Sequence, residues 1–597
     1  MLTASIPLIT LAAVLAAGPP GVELTAESAR DAARIETVLA DMTLREKAAQ
    51  MVMPWIPGGA ITRPADRQRI EKLVTTHRVG GFIVGRGAEA STARTLQHLQ
   101  TLAGVPLLIG ADVERGAGMR LVGATQLAPS MALGATGDVE LAWRQGEATA
   151  AESRRAGIHL AFAPVADVNV NPRNPIINTR AFGSNARQVA RFVRAYVEGL
   201  QDGGMLAVAK HFPGHGDTRT DSHLALPVIS ASRQRLDSVE LVPFREAIAA
   251  GVAGIMTAHI ALPSVTGTRE PATLSRSVLT GLLREELGYE GLIVTDALNM
   301  AGVTRYAEGA DVVLLSVLAG ADILLQPRDP VLAIDVLEEA VLRGALTESR
   351  LDSSVRRILL AKERLGLTGA RESGNDDPAG GALASRDAGE TSRRNRALAA
   401  EIAERSITLV RDERGLVPAT GVRSAVWIHY ADAGATGTMA LDAALRAEGW
   451  TVETIRIARG STAARIAAAE QAARRPGRLV LMSSATQAVP WQGTTALPTR
   501  FRGLVTRLSA SRPVVYISFG DPYLLGTFPD VSTYLLAWSD YESAQRAVGR
   551  ALVGRSGISG KLPIELPTGE PLGFGLVRTA QPARDQGESR ESRGQSR

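Results

Sequence analysis

The sequence predicts a parallel α/β fold, because short apolar runs alternate with longer helical patterns from residue 26 to residue 367. Most of these runs are followed by polar, glycine-containing residues and then by a stretch of helical periodicity, such as residues 189–202. Repeated strand–loop–helix units of this kind build either a closed barrel or a doubly wound sheet. The pattern alone leaves both architectures open.

The candidate strands of this region are apolar runs at 81–84, 106–109, 160–163, 206–209, 254–257, 292–295 and 321–325. Polar residues lie shortly after several of these runs: Asp112, Asp167, Lys210, His211, His259 and Asp296. In a (β/α)₈ barrel, such positions share the face at the carboxyl ends of the strands, where catalytic groups sit.

The second half of the chain begins with a predicted linker at 371–395, which has one Leu, no aromatic residue and many Gly, Ser, Asp and Arg residues. A second α/β segment is predicted at 396–575, with candidate strands at 424–428, 479–482 and 514–517. Residues 576–597 are polar and are expected to be disordered.

Composition excludes several classes of function. The net charge is only +5, and the basic residues are scattered without a long Lys/Arg run, so no nucleic-acid partner is expected. The chain has no cysteine, which rules out disulfides, cysteine-based metal sites and a cysteine nucleophile.

The N-terminus carries an apolar run at 6–17, followed by Gly-Pro-Pro. A run of this length is too short for a membrane span but suits a signal peptide. We therefore expect a signal peptide at 1–20 and a secreted or periplasmic protein, with a buried N-terminal helix as the alternative. No other segment is expected to cross a membrane, and the sequence leaves the oligomeric state open.

Two sequence elements carry chemistry. In the first, residues 291–300, an apolar strand ends in Thr295 and Asp296, so the carboxylate emerges at the strand tip. A helix N-cap is the alternative role for Asp296.

The second element, residues 210–223, is a Gly- and Pro-containing loop with His211, His215 and His223. Asp221 lies two residues before His223, where a carboxylate can orient an imidazole for proton transfer. Metal binding and a structural role are the alternatives for this loop.

Together, KHFPGHGDT with DSH (residues 210–223) and VTDALNM (294–300) resemble the signature of glycoside hydrolase family 3, in its β-N-acetylglucosaminidase branch. Further similar segments lie at 42–51, 112–114, 162–168, 178–183, 405–411 and 558–563. The resemblance implies a (β/α)₈ TIM-type barrel at 26–370 and a C-terminal α/β sandwich domain at 396–575.

The resemblance also implies residue roles. Asp296 is the expected nucleophile, His223 the acid/base and Asp221 its partner. Four further residues, Asp112, Arg180, Lys210 and His211, are expected to hold sugar hydroxyls, and neither a cofactor nor a metal is expected.

The implied function is that of a retaining exo-β-N-acetylglucosaminidase acting on a carbohydrate substrate, either peptidoglycan fragments or chitooligosaccharides. A β-glucosidase or β-xylosidase of the same family and a β-N-acetylglucosaminide phosphorylase are the alternatives. A non-catalytic wall-binding protein is disfavoured, because both candidate catalytic groups are present.

One segment departs from the family pattern. Many members read Asp-x-Glu-Gly-Gly where this chain reads Asp112-Val-Glu114-Arg115-Gly. Arg115 therefore introduces a long cation, and the sequence assigns no role to Glu114 or Arg120. The residues His215, Asp167, Asp217 and His259 also receive no assignment.

Overall fold

The computed structural model describes residues 26–368, 384–431, 435–487, 491 and 494–581. The predicted signal peptide at 1–20 lies outside these residues. Within them, no helix combines the length and the apolar character needed to cross a bilayer.

A closed barrel of parallel strands forms the first domain. Its first strand has two segments, Val52–Met53 and Trp55–Ile56, separated by Pro54. The following strands are Gly81–Val84, Leu108–Ala111, Leu160–Ala161, Leu206–Phe212, Gly254–Thr257, Leu292–Val294 and Leu324–Leu325. Each pairs in parallel with its neighbours, and pairing of Val52 with Leu324 closes the ring.

The predicted strands are confirmed, although several bounds move by two or three residues. The barrel strands could be predicted from the sequence because parallel strands are buried on both faces and therefore consist of continuous apolar runs. Every residue of the strand Leu206–Phe212, for example, is buried. The first strand was missed because Pro54 interrupts its apolar run.

Helices surround the barrel. Ala186–Asp202 illustrates their origin, since the Asn185 side chain caps its first turn and its apolar residues recur on one buried face. The longer helices are Ala26–Asp41, Leu44–Gln50, Pro64–Thr75, Glu89–Leu102, Ser130–Thr136, Val139–Arg155, Ala186–Asp202, Arg233–Ser238, Val242–Ala249, Ser277–Glu286 (a π-helix), Ala310–Ala319, Pro330–Leu342 and Glu348–Arg364.

Short elements complete the loops of the barrel. They are the helical turns Ala117–Met119, Asn178–Arg180, Pro263–Thr266, Ala272–Leu274 and Ala301–Thr304, and the paired strands Gly87–Ala88 and Leu121–Val122.

The second domain is a sheet with helices on both faces. In spatial order its strands are Thr408–Asp412, Thr533–Leu536, Val514–Ser518, Leu479–Ala485, Ser424–Ala431 and Thr451–Ile457. Only the first pairing is antiparallel. Its helices are Ala384–Ser406, Ala440–Ala447, Ala463–Arg474, Thr499–Ser511 and Glu542–Leu552, with a 3₁₀ segment at Pro522–Thr527. Alternate residues of one strand enter two different cores, Val426 and Ile428 on one face and Trp427 on the other.

Two predicted boundaries are wrong. The helix Ala384–Ser406 occupies the last part of the predicted linker at 371–395, and Asn395 is buried, where it donates to the Ala148 carbonyl. The start of the predicted disordered tail is also ordered, because Leu576 donates to Leu409 and Arg578 pairs with Asp412 at 2.8 Å. The rest of both segments lies outside the described residues.

A close seam joins the two domains. Met131 and Ala132, on the barrel helix Ser130–Thr136, belong to one of the apolar cores of the second domain. Nearby, the backbone N–H of Ser184 donates to the Pro563 carbonyl at 2.9 Å. Gly183 permits this approach, since a Cβ at that position would lie 2.4 Å from the Pro563 oxygen. The second domain is therefore fixed over one side of the barrel mouth.

Candidate active site

A cavity of about 300 Å³ lies at the carboxyl ends of the barrel strands. Both domains line it, the second through Gln487 and Trp491. The sequence-predicted residues that line it are Asp112, Arg180, Lys210, His211, His223 and Asp296. Asp221 lies directly behind His223. The structure thus brings together all seven residues that the sequence singled out.

Asp296 stands just after the strand Leu292–Val294. Its Oδ1 accepts from the N–H of Ala297 at 2.8 Å. Burial opposes its ionisation, but the nearby imidazoles of His259, His211 and His223 and this hydrogen bond leave its pKa below the ordinary value. The N-cap alternative is wrong, because the next helix, Ala301–Thr304, has Met300 at its N-cap.

A chain of hydrogen bonds holds the backbone on both sides of the Asp296 side chain. The N–H of Asp296 points to Thr257 Oγ1 at 3.4 Å, and Thr257 contacts Thr273 Oγ1 at 2.8 Å. Thr273 in turn contacts His259 Nδ1 at 2.8 Å, and His259 Nε2 lies 2.9 Å from the Ala297 carbonyl. Because a carbonyl only accepts, Nε2 carries the proton. Burial lowers the pKa of His259.

His223 is oriented by Asp221. Its Nδ1 donates to Asp221 Oδ1 at 2.7 Å, and its backbone N–H reaches the same oxygen at 2.9 Å. The other oxygen, Oδ2, accepts from the backbone N–H of Trp491 at 3.0 Å. Burial opposes ionisation of Asp221, but these hydrogen bonds leave its pKa below the ordinary value. Nδ1 is therefore occupied, and Nε2 is the nitrogen available for proton transfer.

A network of ion pairs forms one wall of the cavity. Lys210 Nζ lies 2.9 Å from Asp112 Oδ1 and 2.7 Å from Glu114 Oε1. Arg180 donates to both oxygens of Glu114, at 2.8 and 2.9 Å, and Arg120 forms an ion pair with Asp112 Oδ2 at 2.7 Å. These cations hold the pKa of Asp112 and of Glu114 far below the ordinary values against the cost of burial. The wall therefore presents fixed acceptors and donors suited to sugar hydroxyls.

His211 is fixed from the side opposite the cavity. Its Nδ1 donates to Asp167 Oδ2 at 2.7 Å, and Arg180 approaches its Nε2 at 3.3 Å. A register shift between Lys210 and Phe212 interrupts the strand pairing here, which explains how two consecutive residues both line the cavity.

The unassigned residues of the sequence analysis now have positions. Asp167 is fully buried and also accepts from the backbone N–H of His215. His215 is buried against Thr218, and burial lowers its pKa to about 4. Asp217 is exposed. Among the described residues, no three His, Cys, Asp or Glu side chains are arranged to hold a metal ion.

The cavity-lining residues that received no role from the sequence include Glu114, Arg115, Arg120, Gln487 and Trp491. Glu114 and Arg120 belong to the segment whose departure from the family pattern left them without a role. Arg115 was noted only as that departure. Gln487 and Trp491 carried no local signal, because they lie in a different domain from the residues that they contact.

The sequence profile of the glycosyl hydrolase family 3 N-terminal domain matches residues 43–361, which is more than half of the chain. The chain belongs to glycoside hydrolase family 3. The barrel followed by an α/β sandwich is the two-domain architecture of this family, and this family member is a glycoside hydrolase.

Relatives match this family 3 chain over nearly its whole length. A β-N-acetylglucosaminidase/β-glucosidase of Cellulomonas fimi is 32% identical over 90% of this chain and 96% of its own. The solved family 3 β-N-acetylglucosaminidase of Paenibacillus sp. is 34% identical with a TM-score of 0.78, covering 88% of this chain and 99% of that one. A β-glucoside phosphorylase is 27% identical with a TM-score of 0.80, covering 90% and 96%.

Proposed function

We propose that this protein is a retaining exo-β-N-acetylglucosaminidase with Asp296 as the nucleophile and His223 as the acid/base. The observation that carries the proposal is one small cavity containing both an ionised carboxylate at a strand tip and an imidazole held by Asp221. Relatives named β-N-acetylglucosaminidase support the choice of sugar. The small volume suits removal of one terminal sugar at a time.

In the first step, an oxygen of Asp296 attacks the anomeric carbon while His223 Nε2–H gives its proton to the glycosidic oxygen. The bond to the leaving sugar breaks, and the glycosyl group is left as an ester of Asp296. Asp221 stabilises the His223 imidazole and fixes which nitrogen faces the substrate. In this proposal, Asp112, Arg180, Lys210 and His211 hold the hydroxyls of the sugar in place.

In the second step, the neutral His223 Nε2 takes a proton from a water molecule, whose oxygen attacks the same carbon. The ester to Asp296 breaks, the sugar is released with its original configuration, and both groups return to their starting states. The backbone anchors of Asp296 and Ala297 fix the carboxylate through both displacements.

The test compares 4-nitrophenyl β-N-acetylglucosaminide with the matching β-glucoside, using the wild type and the Asp296→Ala and His223→Ala variants. We expect a strong preference for the acetamido sugar. Asp296→Ala should lack activity on both substrates, and His223→Ala should lose most of it. A preference for the glucoside would instead make the enzyme a β-glucosidase, and full activity of Asp296→Ala would exclude Asp296 as the nucleophile.

The proposal includes export and a wall- or chitin-derived substrate. The apolar run at 6–17 and the Gly-Pro-Pro that follows it support export. Expression in a bacterial host, followed by N-terminal sequencing of the protein outside the cytoplasm, tests it. Recovery of a chain that starts near residue 20 supports export, and recovery of the intact chain in the cytoplasm alone contradicts it.

A further inference from the structure

Arg115 is a cation of the cavity without an acidic partner. Four Arg and Lys side chains line the cavity, Arg115, Arg120, Arg180 and Lys210, together with the carboxylates of Asp112, Glu114 and Asp296. Three of these cations form ion pairs with Asp112 or Glu114. Within the described residues, Arg115 has no carboxylate oxygen within 4.0 Å.

The contacts of Arg115 are neutral. One terminal nitrogen donates to Gln487 Oε1 at 2.7 Å, and the guanidinium lies 5.8 Å from the centre of the Tyr541 ring. Its Nε is buried and has no hydrogen-bond partner in the part of the chain that the structure describes. The nearest carboxylate in this direction is one step removed, because Gln487 Nε2 donates to Asp540 at 3.1 Å. An arginine has five N–H donors, so most of its capacity is unused.

Among the described residues, the neighbouring carboxylates are bound by other groups. Asp540, on which the charge of Arg115 also acts, accepts from Thr436 and Gln487. Both oxygens of Glu114 are bound by Arg180 and Lys210, and both oxygens of Asp112 are bound by Lys210 and Arg120. Asp296 faces the imidazoles instead. A partly buried guanidinium in this position gains free energy by binding an oxyanion from outside.

The position of Arg115 indicates where that anion sits. Gln487, its partner, and Trp491 both follow the strand Leu479–Ala485 of the second domain. The Trp491 ring packs edge-on against His223, with the ring centres 4.9 Å apart. Because the proposed acid/base must lie beside the glycosidic oxygen, this wall belongs to the leaving-group side of the cavity.

We propose that Arg115 forms an oxyanion subsite on the leaving-group side. The inference rests on the proposed function and adds to it the class of group recognised there. The oxyanion is either a carboxylate on the leaving sugar or an inorganic phosphate ion. In the second case, a phosphate oxygen attacks the anomeric carbon of the Asp296 ester, the ester bond breaks, and sugar 1-phosphate leaves. An ionised phosphate oxygen gives up no proton in that step, so His223 does not act as a base and regains its proton from solvent before the next cycle.

The experiment uses Arg115→Gln and the charge-preserving Arg115→Lys, with Arg219→Gln as the matched control. Arg219 is an exposed arginine in the loop that carries His223, and it does not line the cavity. Melting temperatures equal to that of the wild type verify that each variant is folded. Three reactions are measured: hydrolysis of N,N′-diacetylchitobiose, hydrolysis of β-1,4-N-acetylglucosaminyl-N-acetylmuramic acid, and turnover of the aryl N-acetylglucosaminide with and without phosphate.

A carboxylate site predicts that Arg115→Gln lowers kcat/KM for the muramic disaccharide about tenfold, and leaves chitobiose within about twofold. A phosphate site predicts phosphate-dependent formation of sugar 1-phosphate that Arg115→Gln abolishes. In either case Arg115→Lys should retain part of the wild-type activity that depends on the anion. Arg219→Gln should behave as the wild type. Equal changes on all substrates, or no change on any, overturn the proposal.

Direct binding separates this proposal from the proposed function. Calorimetric titration with phosphate and with N-acetylmuramic acid measures the subsite even if the aryl N-acetylglucosaminide is not hydrolysed. Binding of one of these anions that weakens about tenfold in Arg115→Gln supports the subsite. Undetectable binding of both, or binding that Arg115→Gln leaves unchanged, overturns it. Inactivity of the wild type on every N-acetylglucosaminide contradicts the proposed function alone.

Discussion

At the scale of the residue, Asp221 shows how both domains contribute to the proposed catalytic pair of His223 and Asp221. One oxygen of this carboxylate accepts from the side chain and the backbone of His223, and the other accepts from the backbone of Trp491 in the second domain. The imidazole is thus oriented by a group that is itself held from two sides. The local part of this arrangement could be predicted from the Asp-Ser-His spacing. The contact from Trp491 could not, because it joins residues 270 positions apart.

Replacing Asp221 by Asn should lower kcat on the aryl N-acetylglucosaminide about 100-fold with little change in KM, since proton transfer loses its oriented imidazole while the sugar contacts remain. Steady-state kinetics measure this. Asp217→Asn, at an exposed position of the same loop, is the matched control and should behave as the wild type. An increase in KM at unchanged kcat would contradict the role given to Asp221.

The hydrogen-bond chain through Thr257, Thr273 and His259 leads to a second prediction. Thr273→Val removes the hydroxyl that joins the other two residues. We expect kcat to fall about tenfold at unchanged KM, because the backbone around Asp296 is held less tightly. The control is Thr101→Val, at an exposed position on a surface helix. Kinetics indistinguishable from the wild type would show that this chain does not position the nucleophile.

At the scale of the element, the barrel strands were the most predictable feature of the molecule. Burial on both faces leaves a continuous apolar run in seven of the eight strands. Several of these runs, such as that of Leu292–Val294, end next to a polar residue that lines the cavity. The helix Ala384–Ser406 was the least predictable, because its first turns carry the polar composition of a linker. Contacts with the barrel, such as that of Asn395 with Ala148, stabilise it as a helix.

The seam between the domains is sensitive to side-chain volume. Gly183→Val places carbon atoms against the Pro563 carbonyl, so we expect a lower melting temperature and reduced kcat/KM as Gln487 and Trp491 move away from the barrel. Gly460→Ala, where a Cβ meets nothing within 4 Å, is the matched control. Differential scanning calorimetry and kinetics measure both effects. Unchanged melting and activity in Gly183→Val would show that the seam tolerates separation.

At the scale of the whole molecule, Lys362 connects stability to pH. This lysine is fully buried at the base of the barrel, where its Nζ donates to Gln50 Oε1 at 2.6 Å. No carboxylate of the described residues pairs with it, and burial lowers its pKa to about 7. The unfolded chain, with a lysine pKa of about 10.4, binds more protons between those values, so stability must rise with pH across this window.

Lys362→Met should therefore be more stable than the wild type at pH 6. The gain in the free energy of unfolding should be up to about 4 kcal/mol, reduced by the contribution of the lost hydrogen bond to Gln50. The advantage should shrink from pH 7 towards pH 10, where the lysine is neutral in the folded protein at little cost. Chemical denaturation of both proteins at several pH values measures the difference. A difference that does not depend on pH would contradict the low pKa of Lys362.

The most direct test of the account is the configuration of the product formed when azide rescues the two key variants. With an activated aryl N-acetylglucosaminide, Asp296→Ala should yield the α-glycosyl azide, because azide attacks in place of the missing carboxylate. His223→Ala should yield the β-glycosyl azide, because azide attacks the intact glycosyl ester of Asp296. Proton NMR of the products decides. A β-azide from Asp296→Ala, or an α-azide from His223→Ala, would contradict the assignment of nucleophile and acid/base.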